Sequence, residues 1–172
     1  MATVRFEIPD DVAEIRRINE LAFGSPAEAE LVESLRARGM ATHSLVAEED
    51  NQVVGHVLLS PVTIGPGGAA DSTLSALGLG PVAVLPELQR RGIGSALIKT
   101  ALDKCRNDGR DCVVVLGHAE YYPRFGFVPA SRFGLRCEYN VPDEVFMAIE
   151  LREGALAGHS GLVSYQPEFN EV

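Results

Sequence analysis

The stretch that most constrains the fold is DCVVVLG, residues 111–117. It is a nearly continuous apolar run, which predicts a strand buried on both faces. Upstream, Ile93 to Arg106 carries Ile93, Leu97, Ala101 and Cys105 at i+4 steps, broadened by Ile98 and Leu102. Lys99, Asp103 and Arg106 fall on the other side, so this segment predicts an amphipathic helix. A helix leading into a fully covered strand points to layered α/β architecture.

The rest of the chain repeats both periods. VRFEI alternates and predicts a first strand, and Pro9-Asp10-Asp11 reads as a helix start, with its carboxylates at the positive helix end. Val12, Ile15, Ile18, Leu21 and Ala22 form that helix's expected apolar face. Pro26 opens a second helix carrying Ala29, Leu31, Val32 and Leu35 and ending near Gly39. Ser44 to Ala47 and Val53 to Ile64 predict two strands joined by the charged turn Glu48-Glu49-Asp50-Asn51. GPGGAADS (65–72) is a loop by composition. Leu77 to Leu85, Val145 to Leu151 and Gly161 to Tyr165 predict further strands, and Ala119 to Phe125 a short helix. Strands outnumber helices and the two are interleaved, so the class is α/β or α+β around one mixed sheet. No boundary appears, and 172 residues suit a single domain over 1–172.

Net charge is −9, which disfavours a nucleic-acid partner, because phosphate neutralisation needs a basic surface. Three cysteines without CxxC spacing argue against a disulfide framework or a structural zinc site. No HExxH or other metal-ligand spacing occurs, and no metal is expected. No apolar run approaches a membrane span, so the expectation is a cytoplasmic protein without a membrane partner.

Against this acidic background, VAVLPELQRRGIGSALI (82–98) puts two arginines and two glycines at the mouth of the predicted helix. A helix N-terminus has unpaired N–H groups and partial positive charge, and glycines admit a ligand close to the backbone. The product is an anion site suited to phosphate or pyrophosphate. The P-loop pattern is absent. Gly78-Leu79-Gly80-Pro81-Val82-Ala83 matches a dinucleotide fingerprint loosely, but it precedes a strand and not a helix, which rejects a nicotinamide or flavin site.

Gln89-x-x-Gly92-x-Gly94 resembles the Q/R-x-x-G-x-G/A signature of the GNAT (N-acetyltransferase) superfamily. Downstream, HAEYYPRFGF (118–127) holds Tyr122-x-x-x-Gly126-Phe127, similar to the family's tyrosine followed by Gly-Phe after the fifth strand. The two motifs stand in the family's order on the family's elements. RFEIPDDVAEIRRINELAF, NQVVGHVLLSPV and GLVSYQPEF extend the resemblance over the whole chain, toward a bacterial branch of predicted N-acetyltransferases.

The resemblance implies a mixed central sheet of about seven strands flanked by helices, with splayed central strands between which acetyl-CoA enters. It implies that Val82 and Val84 pair with the pantetheine arm through their backbone. Gln89, Arg90, Arg91, Gly92, Ile93, Gly94 and Ser95 would wrap the pyrophosphate. The implied reaction is direct acetyl transfer to an amine of a small molecule or peptide, with Tyr122 as general acid toward the CoA thiolate. Three sources of the base stay open: His118, Glu120 and a chain of waters. The resemblance allows a homodimer. Two other readings stay open: a non-catalytic acyl-CoA binder or sensor on the same fold, and a nucleotide at the same helix mouth. Tyr121 is expected to pack, Arg124 to be a solvated helix residue, and His56 a satisfied core or surface group.

Overall fold

The computed structural model describes residues 2–66 and 73–172. The loop expected at 65–72 lies outside the described residues, apart from its first two positions. The chain divides into two compact units, each assembled from separate stretches of sequence.

The first unit comprises Met1–Ser60, Gly80–Ala101 and Pro167–Val172. It holds β1 (Thr3–Phe6), α1 (Val12–Phe23), α2 (Ala27–Ala37) and β2 (His43–Glu49). It also holds most of β3 (Gln52–Gly65), the end of β4 (Ala76–Val84) and the start of α3 (Ile93–Asn107). Strand order in this unit is β1-β2-β3-β4. β1 pairs antiparallel with β2, and β2 with β3, from His43↔Leu59 to Glu49↔Gln52 with one shift between Ala47 and Glu48. The charged turn is closed by Asp50 and Asn51, both in the left-handed region that Asn and Asp tolerate best after glycine.

Pro9–Asp11 forms a 3-10 turn ahead of α1. The Asp11 carboxylate accepts the Ile8 backbone N–H at 2.8 Å and a two-pronged bond from Arg5 at 2.8 and 3.1 Å. Ile15 and Ile18 are buried as the periodicity requires, but Leu21 is 47% exposed. Asn19 goes inside in its place, because its amide finds acceptors there: the Ile15 carbonyl at 2.9 Å and the ring of His56. All four apolar residues expected to face inward from α2 are buried. The first half of α3 lies against β3 at Gly55, where a Cβ would meet Leu97 Cδ1 at 3.0 Å and Ile93 Cγ2 at 3.2 Å.

The second unit comprises Pro61–Leu79 and Leu102–Gln166. To the end of β3, the start of β4 and the end of α3 it adds β5 (Cys112–Leu116), β6 (Val128–Pro129), β7 (Leu135–Cys137), β8 (Phe146–Glu150) and β9 (Gly161–Ser164). Its order is β4-β5-β8-β6, with β9 pairing both β3 and β7. β5 is parallel to β4 on one edge and antiparallel to β8 on the other. Residues 112–115 are at most 1% exposed, which is what the continuous apolar run encodes. Cys112, Val114, Leu135, Phe146, Ala148 and Val163 share its core.

The register of β4 with β5 ends at Leu79↔Val115, although β4 continues to Val84. Pro81 has no N–H to offer a ladder beyond that point. Strands among the described residues number nine, two more than the roughly seven expected. The two additional strands, β6 and β7, are two and three residues long, too short to display a period. The expected short helix narrows to a 3-10 turn, Tyr122–Phe125. Among the described residues no helix is long and apolar enough to cross a membrane.

Candidate active site

The helix-mouth residues all lie in the first unit and form one continuous turn. β4 ends as the Leu85 N–H donates to the Val54 carbonyl at 3.0 Å, and a 3-10 turn follows over Pro86–Leu88. The Gln89 side chain folds back and donates from Nε2 to the Val84 carbonyl at 3.1 Å. The glutamine of the motif therefore ties the turn to the strand end, a role for its side chain that the spacing alone did not suggest. Arg90 (φ 65°) and Gly92 (φ 85°) both take left-handed conformations, which double the chain back into α3. Such alternation aims successive N–H groups into a shared concavity.

The Gly92 carbonyl accepts the Ala96 N–H at 3.0 Å and so starts α3. Ile93, Gly94 and Ser95 occupy the first helical turn, where intrahelical acceptors for N–H groups run out. Nothing lies within 4 Å of the position a Cβ would take on Gly92, so space for a ligand exists in front of the turn. Arg90 and Arg91 are exposed beside it, while Val82 is half-buried and Val84 buried. Positive side chains, a helix N-terminus and open space coincide at this point of an acidic chain.

The tyrosine motif lies in the second unit and forms a different turn. After β5, the Gly117 N–H donates to the Val145 carbonyl at 3.0 Å. The His118 carbonyl then accepts the N–H groups of Tyr121 at 3.0 Å and Tyr122 at 3.3 Å. Tyr122 is 8% exposed and meets Tyr121 and Phe127 edge-to-face at centroid distances of 5.2 and 5.7 Å. Burial pushes its hydroxyl up to about 12, so at neutral pH the phenol is protonated and able to donate. The side chains of His118 and Glu120 are exposed.

Tyr121 packs, as expected, between Tyr122 and Phe125. Arg124 stays local: its guanidinium sits 4.5 Å over the Tyr121 ring and its Nε donates to the Tyr121 carbonyl at 3.0 Å. Cys105 and Cys112 are buried, and burial pushes both thiols up to about 12, which leaves them unreactive.

A buried polar chain in the first unit had a weak signal in the sequence. His56 is fully buried, and burial lowers its imidazole to about 4. Nδ1 accepts from Asn19 Nδ2 at 3.3 Å, so the ring proton is on Nε2, which donates to Ser44 Oγ at 2.8 Å. Ser44 passes its own proton toward the Glu7 carboxylate, which Arg36 grips with two bonds of 3.0 Å. With Nε2 already protonated, His56 cannot serve as a base toward Ser44; its two ring nitrogens are both partnered, while Asn19 Oδ1 is buried without a hydrogen-bond partner. Among the described residues no group of three or more His, Cys, Asp or Glu gathers for a metal ion.

A helix mouth of this kind, at the end of a strand that outruns its parallel neighbour, is what the resemblance to the GNAT acetyltransferases implied. The family model of the Acetyltransferase (GNAT) domain matches residues 3–130, and the chain belongs to that family. Over 168 residues it is 37% identical to the uncharacterized N-acetyltransferase YhbS of Escherichia coli, covering 97% of this chain and 98% of that one. The crystal structure of Escherichia coli YhbS in complex with CoA superposes with a TM-score of 0.91 at 38% identity, covering 98% of this chain and 92% of the other. A GNAT family acetyltransferase from Brucella melitensis, solved with acetyl-CoA, gives 0.79 at 38% identity, covering 98% of each chain.

Proposed function

We propose that the chain transfers the acetyl group of acetyl-CoA directly to an amine of a small molecule or peptide. The observation that carries this reading is the turn over Gln89–Ser95, with its two left-handed residues, two exposed arginines and open space at Gly92. Its support from relatives is that two of them, at 38% identity, were solved with CoA or acetyl-CoA.

In the proposed reaction the pyrophosphate lies on the N–H groups of residues 92–95, next to Arg90 and Arg91. The pantetheine arm pairs with the backbone at Val82 and Val84. The acceptor must be a neutral amine, so a proton leaves it first; His118 is the proposed base. Nitrogen attacks the thioester carbon, and a backbone N–H at Val82–Val84 steadies the oxyanion. The C–S bond breaks, and Tyr122 gives its proton to the departing sulfur. As the adduct collapses the nitrogen sheds a second proton, which restores the phenol, and His118 releases the first to solvent, leaving amide and CoA thiol.

The test is thermal stability with acetyl-CoA, CoA, ATP and NAD for the wild type and Gly92→Glu. Acetyl-CoA and CoA should raise the melting temperature of the wild type and not that of a folded Gly92→Glu. Amines that then accelerate thiol release should lose that acceleration about a hundredfold or more in Tyr122→Phe. Stabilisation by ATP or NAD above CoA would overturn the cofactor. Binding of acetyl-CoA with no thiol release across polyamines, aminoglycosides, amino acids and peptides would overturn the transferase reading in favour of an acyl-CoA sensor.

A further inference from the structure

We propose that Gly117 is a positioning residue for Tyr122: the bare backbone at 117 sets where the phenol stands, and hence whether its proton can reach the CoA sulfur. The proposal rests on the reading of Tyr122 as proton donor. Gly117 is not among the glycines with positive φ, so the backbone conformation alone does not call for glycine there. The ring does. A Cβ on residue 117 would lie 2.2 Å from Tyr122 Cε2, 2.8 Å from Cδ2 and 3.2 Å from Cζ. Carbon atoms rest at about 3.5 Å or more, so any side chain at 117 must move the ring edge by over about 1 Å. The displaced edge, Cδ2–Cε2, adjoins Cζ, so the hydroxyl moves with it.

The ring has nowhere neutral to go. Phe127, 1% exposed, stands edge-on at 5.7 Å, and Tyr121 at 5.2 Å. The backbone that carries Tyr122 is held by the His118 carbonyl, which accepts both the 121 and 122 N–H groups, and Gly117 itself is held by its N–H bond to Val145. The turn thus folds the ring back across the backbone of Gly117, five residues upstream. A shift of about 1 Å in a reacting group can cost two orders of magnitude in rate, because it spoils alignment more than contact.

The experiment is an ultraviolet titration of the CoA thiol in its complex with the protein, with the desulfo-CoA complex as blank. It compares wild type, Gly117→Ala, Tyr122→Phe and the double variant. A phenol aimed at sulfur favours the thiolate, so loss of that bond should weaken thiol ionisation by about tenfold or more. The expected result is this loss in each single variant, no further loss in the double variant, and desulfo-CoA affinity unchanged throughout. A purely structural role for Gly117 would lower melting temperature and leave the thiol of bound CoA as in the wild type.

If Gly117→Ala does not fold, the same substitution is made in Phe127→Leu, where the far edge of the ring has room to yield. The thiol should still lose its shift relative to Phe127→Leu alone. Loss in Tyr122→Phe with none in Gly117→Ala overturns the positioning role and leaves Tyr122 as donor. No loss in Tyr122→Phe overturns the donor reading and the inference with it. Loss of desulfo-CoA binding in folded Gly117→Ala also overturns it, because the residue would then act on the cofactor and not through the tyrosine.

Discussion

At the scale of single residues, His56 carries the clearest consequence for pH. Its imidazole, at about 4 in the folded chain, sits below the ordinary 6.5, because burial penalises the cation. Between those values the unfolded chain binds a proton that the folded chain refuses, so stability falls as pH drops from about 6.5 to about 4. The full effect of this one group is about 3 kcal/mol. Urea unfolding of His56→Gln across that interval should show a shallower pH dependence than the wild type; an unchanged slope would remove His56 as its source. Glu7 and Asp11 act lower on the scale. Burial works to raise Glu7, but hydrogen bonds from Arg36 and Ser44 outweigh it, and Arg5 holds Asp11 down. Their contributions are present above the ordinary carboxylate range and are lost as pH falls through their depressed values. None of this network was legible as a network. Ser44, His56, Asn19 and Glu7 are scattered polar residues in the sequence, and only the β2–β3 pairing and α1 bring them together. Arg90 is a similar case: its left-handed conformation has no marker, because arginine carries no preference for it.

At the scale of elements, what could be read was what repeats. α3 spans four turns and β5 is uniformly apolar, so their periods are unambiguous; Ile93, Leu97, Ala101 and Cys105 are all buried. Where an element's direction depends on a hydrogen bond and not on hydrophobicity, the pattern misleads, as at Leu21 and Asn19. The joint between β1 and α1 is one such polar device. Asp11 ties Ile8, Arg5 and, through Arg5, Glu48 on β2. Asp11→Asn should cost about 1–3 kcal/mol by denaturant unfolding at neutral pH, since it leaves the guanidinium and the Ile8 N–H short of a charged acceptor. A midpoint unchanged within error would show that the joint is held by other contacts. The motif turns were legible because their residue types are chemically unusual where they stand. The contact between Gly117 and Tyr122 was not, since a glycine after an apolar strand reads as an ordinary strand end.

At the scale of the whole molecule, the proposed cofactor site stands against the charge of the chain. CoA is an anion meeting a chain of net charge −9, and Arg90 and Arg91 are the local exception. Replacing both with alanine should weaken CoA binding about three- to thirty-fold, with added salt narrowing the gap. Pantetheine, which lacks the phosphates, should bind both forms alike by calorimetry; equal losses for the two ligands would place the arginines' role elsewhere.

The make-up of the first unit bears on how the chain is synthesised. That unit starts at the N-terminus yet includes Pro167–Val172, where Glu168 receives a forked bond from Arg38, at the end of α2, at 2.5 and 2.8 Å. A ribosome emitting this chain therefore delivers the first unit's opening segment first and its closing segment more than a hundred residues later. Until residues 167–172 have left the exit tunnel, the segment that carries the helix mouth lacks part of its own unit. A nascent chain arrested before them should remain open to protease around α2, and one extended past them should not.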